Sequence, residues 1–290
     1  MRAVLLTGTV TAAAKILGRS QPAVSRMLVK LEEDLGVVLF ERRRGLIVPT
    51  PEARLLLDDV ERVCASVDSA KMCSSRLARG ESGAIKVAVI PALGVRFMPM
   101  AIGRFLREER RTNIDLDIQL SDQVEELAAA QHIEFGLAEM PFKRSGFSVE
   151  TFCSAPYLCA IPERHPLAGR ERISLRDLKG QPLIYWRTPS RQLFDSAFQS
   201  GGISIGPVVQ TTYSISVYEL VRAEVGIGFV DPFTAALHRD EGVKVIPFDP
   251  EIPFNVAILR PKTKTPNPIC LKMIEFIYDE RDRLLSKLPS

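Results

Sequence analysis

The chain has 290 residues, 46% of them hydrophobic and 25% charged, with a net charge of +3. That composition belongs to an ordinary globular protein with room for two domains. There is no apolar run of membrane-spanning length and no secretory signal at the start, and a cytoplasmic protein is expected. The five cysteines (Cys64, Cys73, Cys153, Cys159, Cys270) are odd in number and lack CxxC or zinc-finger spacing. Buried or half-exposed reduced thiols are the expectation, with a redox switch as the alternative. Charge is uneven: residues 1–80 hold 13 Lys/Arg against 9 Asp/Glu, an excess of +4, which leaves −1 for the rest. The N-terminal part therefore suits an anionic partner.

In chain order, Met1–Thr7 reads as the back end of a helix closed by Gly8. Thr9 to about Gly36 reads as two helices with a tight turn. Ala12, Ala13, Ile16 and Leu17 give the first an apolar face, and Gly18 ends it. Ser20 is a suitable N-cap for the second, with Pro22 in its first turn. Val24, Leu28, Leu31 and Leu35 point one way; Gln21, Pro22, Ser25, Arg26 and Val29 point another. Such donors suit base edges and phosphates in a major groove, against the alternative of a plain helical hairpin with a polar surface. Glu32, Glu33 and Asp34 oppose the helix dipole and read as a solvated face.

Two β-prone runs, Val37–Phe40 and Leu46–Val48, flank Glu41-Arg-Arg-Arg-Gly45. A hairpin with Arg42, Arg43 and Arg44 at its tip is a β-wing suited to phosphates or a minor groove; a basic surface turn is the alternative. Thr50-Pro-Glu52 starts a helix that runs to about Arg79. Ala53, Leu57, Val60, Cys64 and Val67 lie at alternating spacings of four and three, an a/d stripe for a partner helix. Homodimerisation through this linker helix is expected, with packing on its own chain as the alternative. Gly80-Glu-Ser-Gly83 reads as a hinge.

Beyond the hinge, strands and helices alternate. Ile85–Ile90, Ile114–Leu120 and Phe135–Ala138 are predicted strands, with helices over 97–110 and 122–131. The scheme recurs: strands at Leu183–Trp186, Val208–Thr212 and Ile227–Val230, helices over 191–200 and 216–224. Two βαβαβ units with mostly parallel sheets follow. Val149–Ile161 carries the chain across and Ile252–Leu259 carries it back, which describes a two-lobed domain with a ligand cleft. A last helix, about Asn267 to Leu288, packs Ile269, Met273, Ile277 and Leu284.

Catalytic constellations are missing. His132, His165 and His238 have no metal spacing, there is no Walker A or GxSxG sequence, and Gly226-Ile-Gly228 lacks the third glycine of a dinucleotide fingerprint. A binding protein without cofactor or metal is expected. The competing readings are a solute-binding protein and an enzyme on the two-lobed fold.

The runs Thr11-Ala-Ala-Ala-Lys-Ile-Leu17, Ser20-Gln-Pro-Ala-Val-Ser-Arg26, Leu31-Glu-Glu-Asp-Leu-Gly36, Leu39-Phe-Glu-Arg42 and Pro49-Thr-Pro-Glu-Ala53 carry a family likeness, joined by His165-Pro-Leu-Ala168 and Ala223-Glu-Val-Gly-Ile-Gly228. On these residues the chain resembles the LysR-type bacterial transcriptional regulators over nearly its whole length. The resemblance implies a winged helix-turn-helix over 1–50, a dimerising linker helix over 51–80 and a periplasmic-binding-protein-like effector domain over 81–290. In that domain lobe I takes about 84–148 and 254–290, and lobe II about 162–248. It further implies dimers of dimers on double-stranded promoter DNA, a small coinducer, and RNA polymerase as a plausible partner.

Carried over by position, Ser20, Gln21, Pro22, Ser25 and Arg26 are the major-groove face, and Arg42, Arg43 and Arg44 the wing. The family's effector site maps to strand ends and helix starts: Pro91, Ala92, Leu93, Ser121, Glu139, Ser190, Ser214 and Asp231, with Thr188 to Arg191 around Ser190. Free N–H groups at helix starts favour a ligand carboxylate, and Glu139 and Asp231 favour an ammonium or guanidinium. Ile90-Pro-Ala-Leu93, Met98-Pro99 and Phe229-Val-Asp-Pro232 are similar to the opine and amino-acid catabolism branch. The chain departs from the pattern at Gln131, where the family has Gly, and at Glu134, where it has Asp. Met1 also falls inside the family's first helix, so either a later-than-true start or a less braced DNA-binding domain is expected.

Overall fold

The computed structural model describes residues 2–43, 46–53, 56, 60, 85–187, 189–202, 208–238, 242–262 and 267–288. The chain divides into two compact units, Met1–Gly83 and Ala84–Ser290. In the first, α1 (Arg2–Thr7), α2 (Val10–Ile16) and α3 (Gln21–Leu35) precede a hairpin of β1 (Phe40–Arg43) and β2 (Leu46–Pro49). Thr9 caps α2 by accepting from the Ala12 N–H at 3.2 Å. Gly18 ends α2 and Gly36 ends α3, with φ of +60° and +69°, a region glycine enters without strain. Val4, Val10, Ala13, Ala14, Val24 and Leu28 form the core, with Phe40 and Ile47 of the hairpin packed against it.

Three expectations need correction here. The buried face of α2 is Val10, Ala13 and Ala14, whereas Ile16 and Leu17 are 66% and 48% exposed. Leu17 is next in the buried phase but is the C-cap, where the chain turns away. Leu31 is half-buried and Leu35 exposed, so the packed face of α3 is short. The first wing strand starts at Phe40 rather than Val37, which places Arg42 and Arg43 within β1, opposite Ile47 and Leu46. Arg44, and the linker helix beyond its first turn with Cys64 and Cys73, lie outside the described residues.

The second unit begins with β3 (Ile85–Val89), α4 (Pro91–Gly94), α5 (Phe97–Glu108), β4 (Ile114–Ile118), α6 (Ser121–Ala129) and β5 (Phe135–Glu139). Then come β6 (Phe147–Pro156), β7 (Leu158–Pro162), β8 (Ile173–Ser174), β9 (Ile184–Trp186), α7 (Arg191–Ser200), β10 (Val209–Thr211), α8 (Ser214–Arg222), β11 (Gly228–Val230) and α9 (Pro232–Leu237). The chain closes with β12 (Val243–Asp249), β13 (Pro253–Pro261) and α10 (Pro268–Leu285). Lobe I is a sheet of order β4-β3-β5-β13-β6, and lobe II one of order β11-β7-β12-β8 with β9 and β10 beside it. The two βαβαβ units pair in parallel, β4-β3-β5 in one and β10-β9 joined to β11 through a Leu183–Ile227 bridge in the other, and β12 pairs β8 in parallel as well. The sequence pattern did not predict that β6, β7 and β13 join by antiparallel pairing, which makes both sheets mixed. At the crossing, the Tyr157 N–H donates to the Ile252 carbonyl at 2.8 Å.

One hydrophobic core runs through both lobes. Its aromatic links include Phe97 with Phe233 at 5.0 Å and Tyr157 with Phe194 and Phe254 at 5.3 and 5.2 Å between ring centroids. Offset and edge-on rings at these separations add to the burial they already contribute. Gly226 has its reason in close packing: a Cβ there would meet the Pro182 carbonyl oxygen at 2.3 Å. The α8–β11 turn therefore needs glycine for space, not for a nucleotide.

Gln131 has φ of +61°, in the left-handed region, at the end of α6. A side chain there costs energy that glycine avoids. Gln131→Gly should stabilise the second unit by about 1 kcal/mol in urea denaturation; an equal loss would show that the Gln131 side chain supports the turn.

Candidate DNA-binding and effector sites

The candidate DNA face is the exposed side of α3. Ser20, Gln21, Pro22 and Arg26 are exposed and Ser25 half-exposed. Val24 and Leu28 on the opposite side are buried, which fixes the rotation of the helix. Ser20 occupies the N-cap position, but its hydroxyl makes no cap hydrogen bond. Gln21 Nε2 instead donates to Ser25 Oγ at 3.3 Å along the surface. The row thus carries hydroxyl, amide and guanidinium donors at positions 20, 21, 25 and 26, two adjacent pairs about one helical turn apart. Arg42 and Arg43 stand on β1 of the hairpin.

The candidate effector residues form two matching sets. In lobe I, Ser121 opens α6 and its Oγ accepts from the Glu139 N–H at 3.2 Å at the end of β5. In lobe II, Ser214 opens α8 and its Oγ accepts from the Asp231 N–H at 3.0 Å, just beyond β11. Each serine ties the end of one parallel strand to the helix that precedes it, a pattern that follows from the repeated βαβαβ plan.

The two acids differ in use. Glu139 is 4% exposed, and its Oε1 accepts from Tyr157 at 3.0 Å and from Ser190 at 2.5 Å. Ser190 also reaches the Pro253 carbonyl at 3.3 Å. Ser190 sits at the N-cap of α7 yet gives its hydroxyl to Glu139 rather than to the helix. The carboxylate therefore joins lobe I, the crossing strand and lobe II. Tyr157 was not anticipated as part of this cluster; a lone tyrosine at a strand end carries no spacing signal. Asp231 is 1% exposed and caps α9, accepting from the N–H groups of Phe233 and Thr234 at 2.9 Å each and from the Thr234 hydroxyl at 2.6 Å. Burial pushes its carboxyl above the usual range, opposed by the bonds from Thr234, Ser214 and Phe233. Here the amine-binding expectation meets a carboxylate already engaged by a helix.

Pro91 and Ala92 are half-buried on α4, whereas Leu93 is fully buried in the core. The helix α4 packs against α8 and α9 of the other lobe, which places Pro91 and Ala92 along the line between lobes. Thr188 lies outside the described residues.

His165 and two buried cysteines have structural settings. His165 caps a short 3-10 turn through Nδ1, which accepts from the Leu167 N–H at 3.2 Å. Burial pushes the Cys153 thiol up to about 12 and raises that of Cys159 as well, so neither supplies the thiolate that a redox switch needs. Among the described residues, no group of three His, Cys, Asp or Glu could hold a metal, and no helix is long and apolar enough to cross a membrane.

A helix-turn-helix with a hairpin, followed by a two-lobed domain of mixed sheets, is the architecture of a ligand-responsive DNA-binding regulator. Residues 1–54 match the family described as bacterial regulatory helix-turn-helix protein, lysR family, and residues 78–282 match the LysR substrate binding domain. The regulatory protein NocR of Agrobacterium fabrum (strain C58 / ATCC 33970) is 32% identical over 269 residues, covering 92% of this chain and 89% of that protein. The octopine catabolism/uptake operon regulatory protein OccR of Rhizobium meliloti is 33% identical over 247 residues, covering 85% and 82%. The crystal structure of full-length CbnR complexed with its target DNA shares the fold, with a TM-score of 0.69 at 23% identity and 96% of both chains covered. The chain belongs to the LysR family of bacterial transcriptional regulators. It is a DNA-binding regulator with an effector-binding domain, from a family that is not enzymatic, and the solute-binding and enzyme readings fall away.

The capping role of Asp231 gives a direct test. Asp231→Ala should destabilise the second unit by about 1–2 kcal/mol in urea denaturation, whereas Asp231→Asn, which keeps a cap acceptor, should cost less than half of that. Equal losses from the two would show that the charge, not the cap, is what the site needs.

Proposed function

We propose that this regulator reads promoter DNA through Gln21 and Arg26, while Ser20, Ser25 and the wing arginines Arg42, Arg43 and Arg44 hold it on phosphates. Pro22 sets the first turn and faces the same groove. The observation that carries the reading is the exposed polar row on α3, held outward by buried Val24 and Leu28. A guanidinium donates to two acceptors on one base edge and an amide pairs with one acceptor and one donor, whereas phosphate contacts from hydroxyls and wing arginines carry no sequence information. Arg26→Ala should weaken binding to a specific promoter duplex by about 1–3 kcal/mol in a gel-shift titration, with the thermal midpoint unchanged. Unchanged affinity would remove Arg26 from the reading face.

The effector of this reading is a small amino acid or opine that binds between the lobes and changes promoter binding. Support comes from the buried carboxylate of Glu139 at the lobe junction, from the half-buried Pro91 and Ala92 beside α8, and from likeness to OccR, whose description concerns octopine catabolism. Ser121, Ser190 and Ser214 supply hydroxyls at helix starts near those acids. The protein acts in the cytoplasm as a homodimer through the linker helix, paired into a tetramer, and meets RNA polymerase at the promoter. Calorimetric titration with octopine, nopaline, arginine and ornithine should give saturable heat with at least one of them. The absence of heat from all four would reject this effector class.

A further inference from the structure

We propose that Glu32 is the positioning residue that sets the wing against the recognition helix, and that Leu39 is the joint through which the next helix is tied to both. The inference rests on the DNA-binding reading of α3 and the wing. Glu32 lies in the last turn of α3, where a carboxylate opposes the helix dipole. Its neighbours Glu33 and Asp34 are exposed, but Glu32 is half-buried and turned toward the hairpin. Its Oε1 accepts from the Leu39 N–H at 2.7 Å and from the Phe40 N–H at 3.0 Å. Its main-chain carbonyl accepts from the Val37 N–H at 3.2 Å. One residue of the recognition helix thus holds three N–H groups of the segment leading into β1.

Leu39 continues the connection. Its side chain is fully buried, and its carbonyl accepts from the Thr50 N–H at 3.0 Å. The Thr50 hydroxyl is shared between the Val38 and Leu39 carbonyls at 2.9 and 3.2 Å. The same Thr50 oxygen accepts from the Ala53 N–H at 3.1 Å, in the first turn of the helix that follows the wing. The unbroken path is Glu32, Leu39, Thr50, Ala53. A carboxylate bonded to two main-chain N–H groups is stronger and more directional than a neutral contact, so the first wing strand has one place relative to α3.

A merely stabilising residue and a positioning residue behave differently in a double-mutant cycle. The full-length protein would be titrated, across a salt series, with a labelled duplex selected by the wild-type chain from a random-sequence pool. Glu32→Ala should weaken binding about tenfold and flatten the salt dependence, because misplaced wing arginines no longer release counterions. The triple variant Arg42→Ala, Arg43→Ala, Arg44→Ala should do the same. Adding Glu32→Ala to the triple variant should cost nothing more. Glu32→Gln, which keeps an acceptor oxygen, should recover most of the affinity and serves in the same cycle if Glu32→Ala does not fold. Multiplicative losses, or a Glu32→Ala variant with the full salt slope, would overturn the positioning role alone. A triple variant that binds like wild type would overturn the wing reading as well.

Discussion

The second unit depends on one constraint: the chain must leave lobe I and return to it through adjacent strands. β6 and β13 pair antiparallel along their length, and where they part Tyr157 and Ile252 remain bonded. The polar links between the lobes described above collect at this crossing. The hydroxyl of Tyr157 reaches Glu139, Ser190 of the other lobe reaches the same oxygen, and the ring of Tyr157 packs against Phe194 and Phe254. Removing one partner from such a buried set leaves a polar group without its bond, which costs more than the bond contributes net. The lobe junction is therefore a position where a small polar change has a large effect on stability.

The first unit is governed by a different balance. Among the described residues, its main cluster is six buried side chains from α1, α2 and α3 with Ala3, Phe40 and Ile47 packed against them, and Leu39 and Ala53 are buried as well. So small a core stabilises weakly, and local hydrogen bonds carry a larger share of the organisation. Thr9 capping α2, Glu32 holding the entry to β1 and Thr50 closing the exit of β2 are of this kind. They place the exposed row of α3 and the hairpin on one frame while leaving the polar side chains of that row free of the core.

Periodicity was legible where one face of an element is buried. The spacing of Val24 and Leu28 gave the rotation of α3, and the recurrence of strand and helix gave both βαβαβ units. The antiparallel strands were harder to read: β6 and β7 form one continuous apolar-rich run, and only tertiary pairing splits it at Tyr157. Side-chain roles set by distant contacts were not legible. Glu32 reads as a solvated acid beside Glu33 and Asp34, yet it alone turns inward, because the N–H groups it accepts lie seven and eight residues on. Asp231 reads as a ligand acid at a strand end, whereas the Pro232-Phe-Thr sequence after it starts a helix that takes its carboxylate as a cap. Gln131 shows the converse: the resemblance implies a glycine at that turn, and the backbone there is left-handed, which this chain keeps with a side chain present.

In the proposed reading, the polar row of α3 delivers this protein to particular promoters. Genome-wide mapping of bound DNA in cells, with the wild-type chain and the Arg26→Ala variant compared at equal abundance, tests it most directly. A few sharp promoter sites are expected for the wild type, and their loss in the variant. Sites that persist unchanged in the variant, or no sites at all for the wild type, would contradict it.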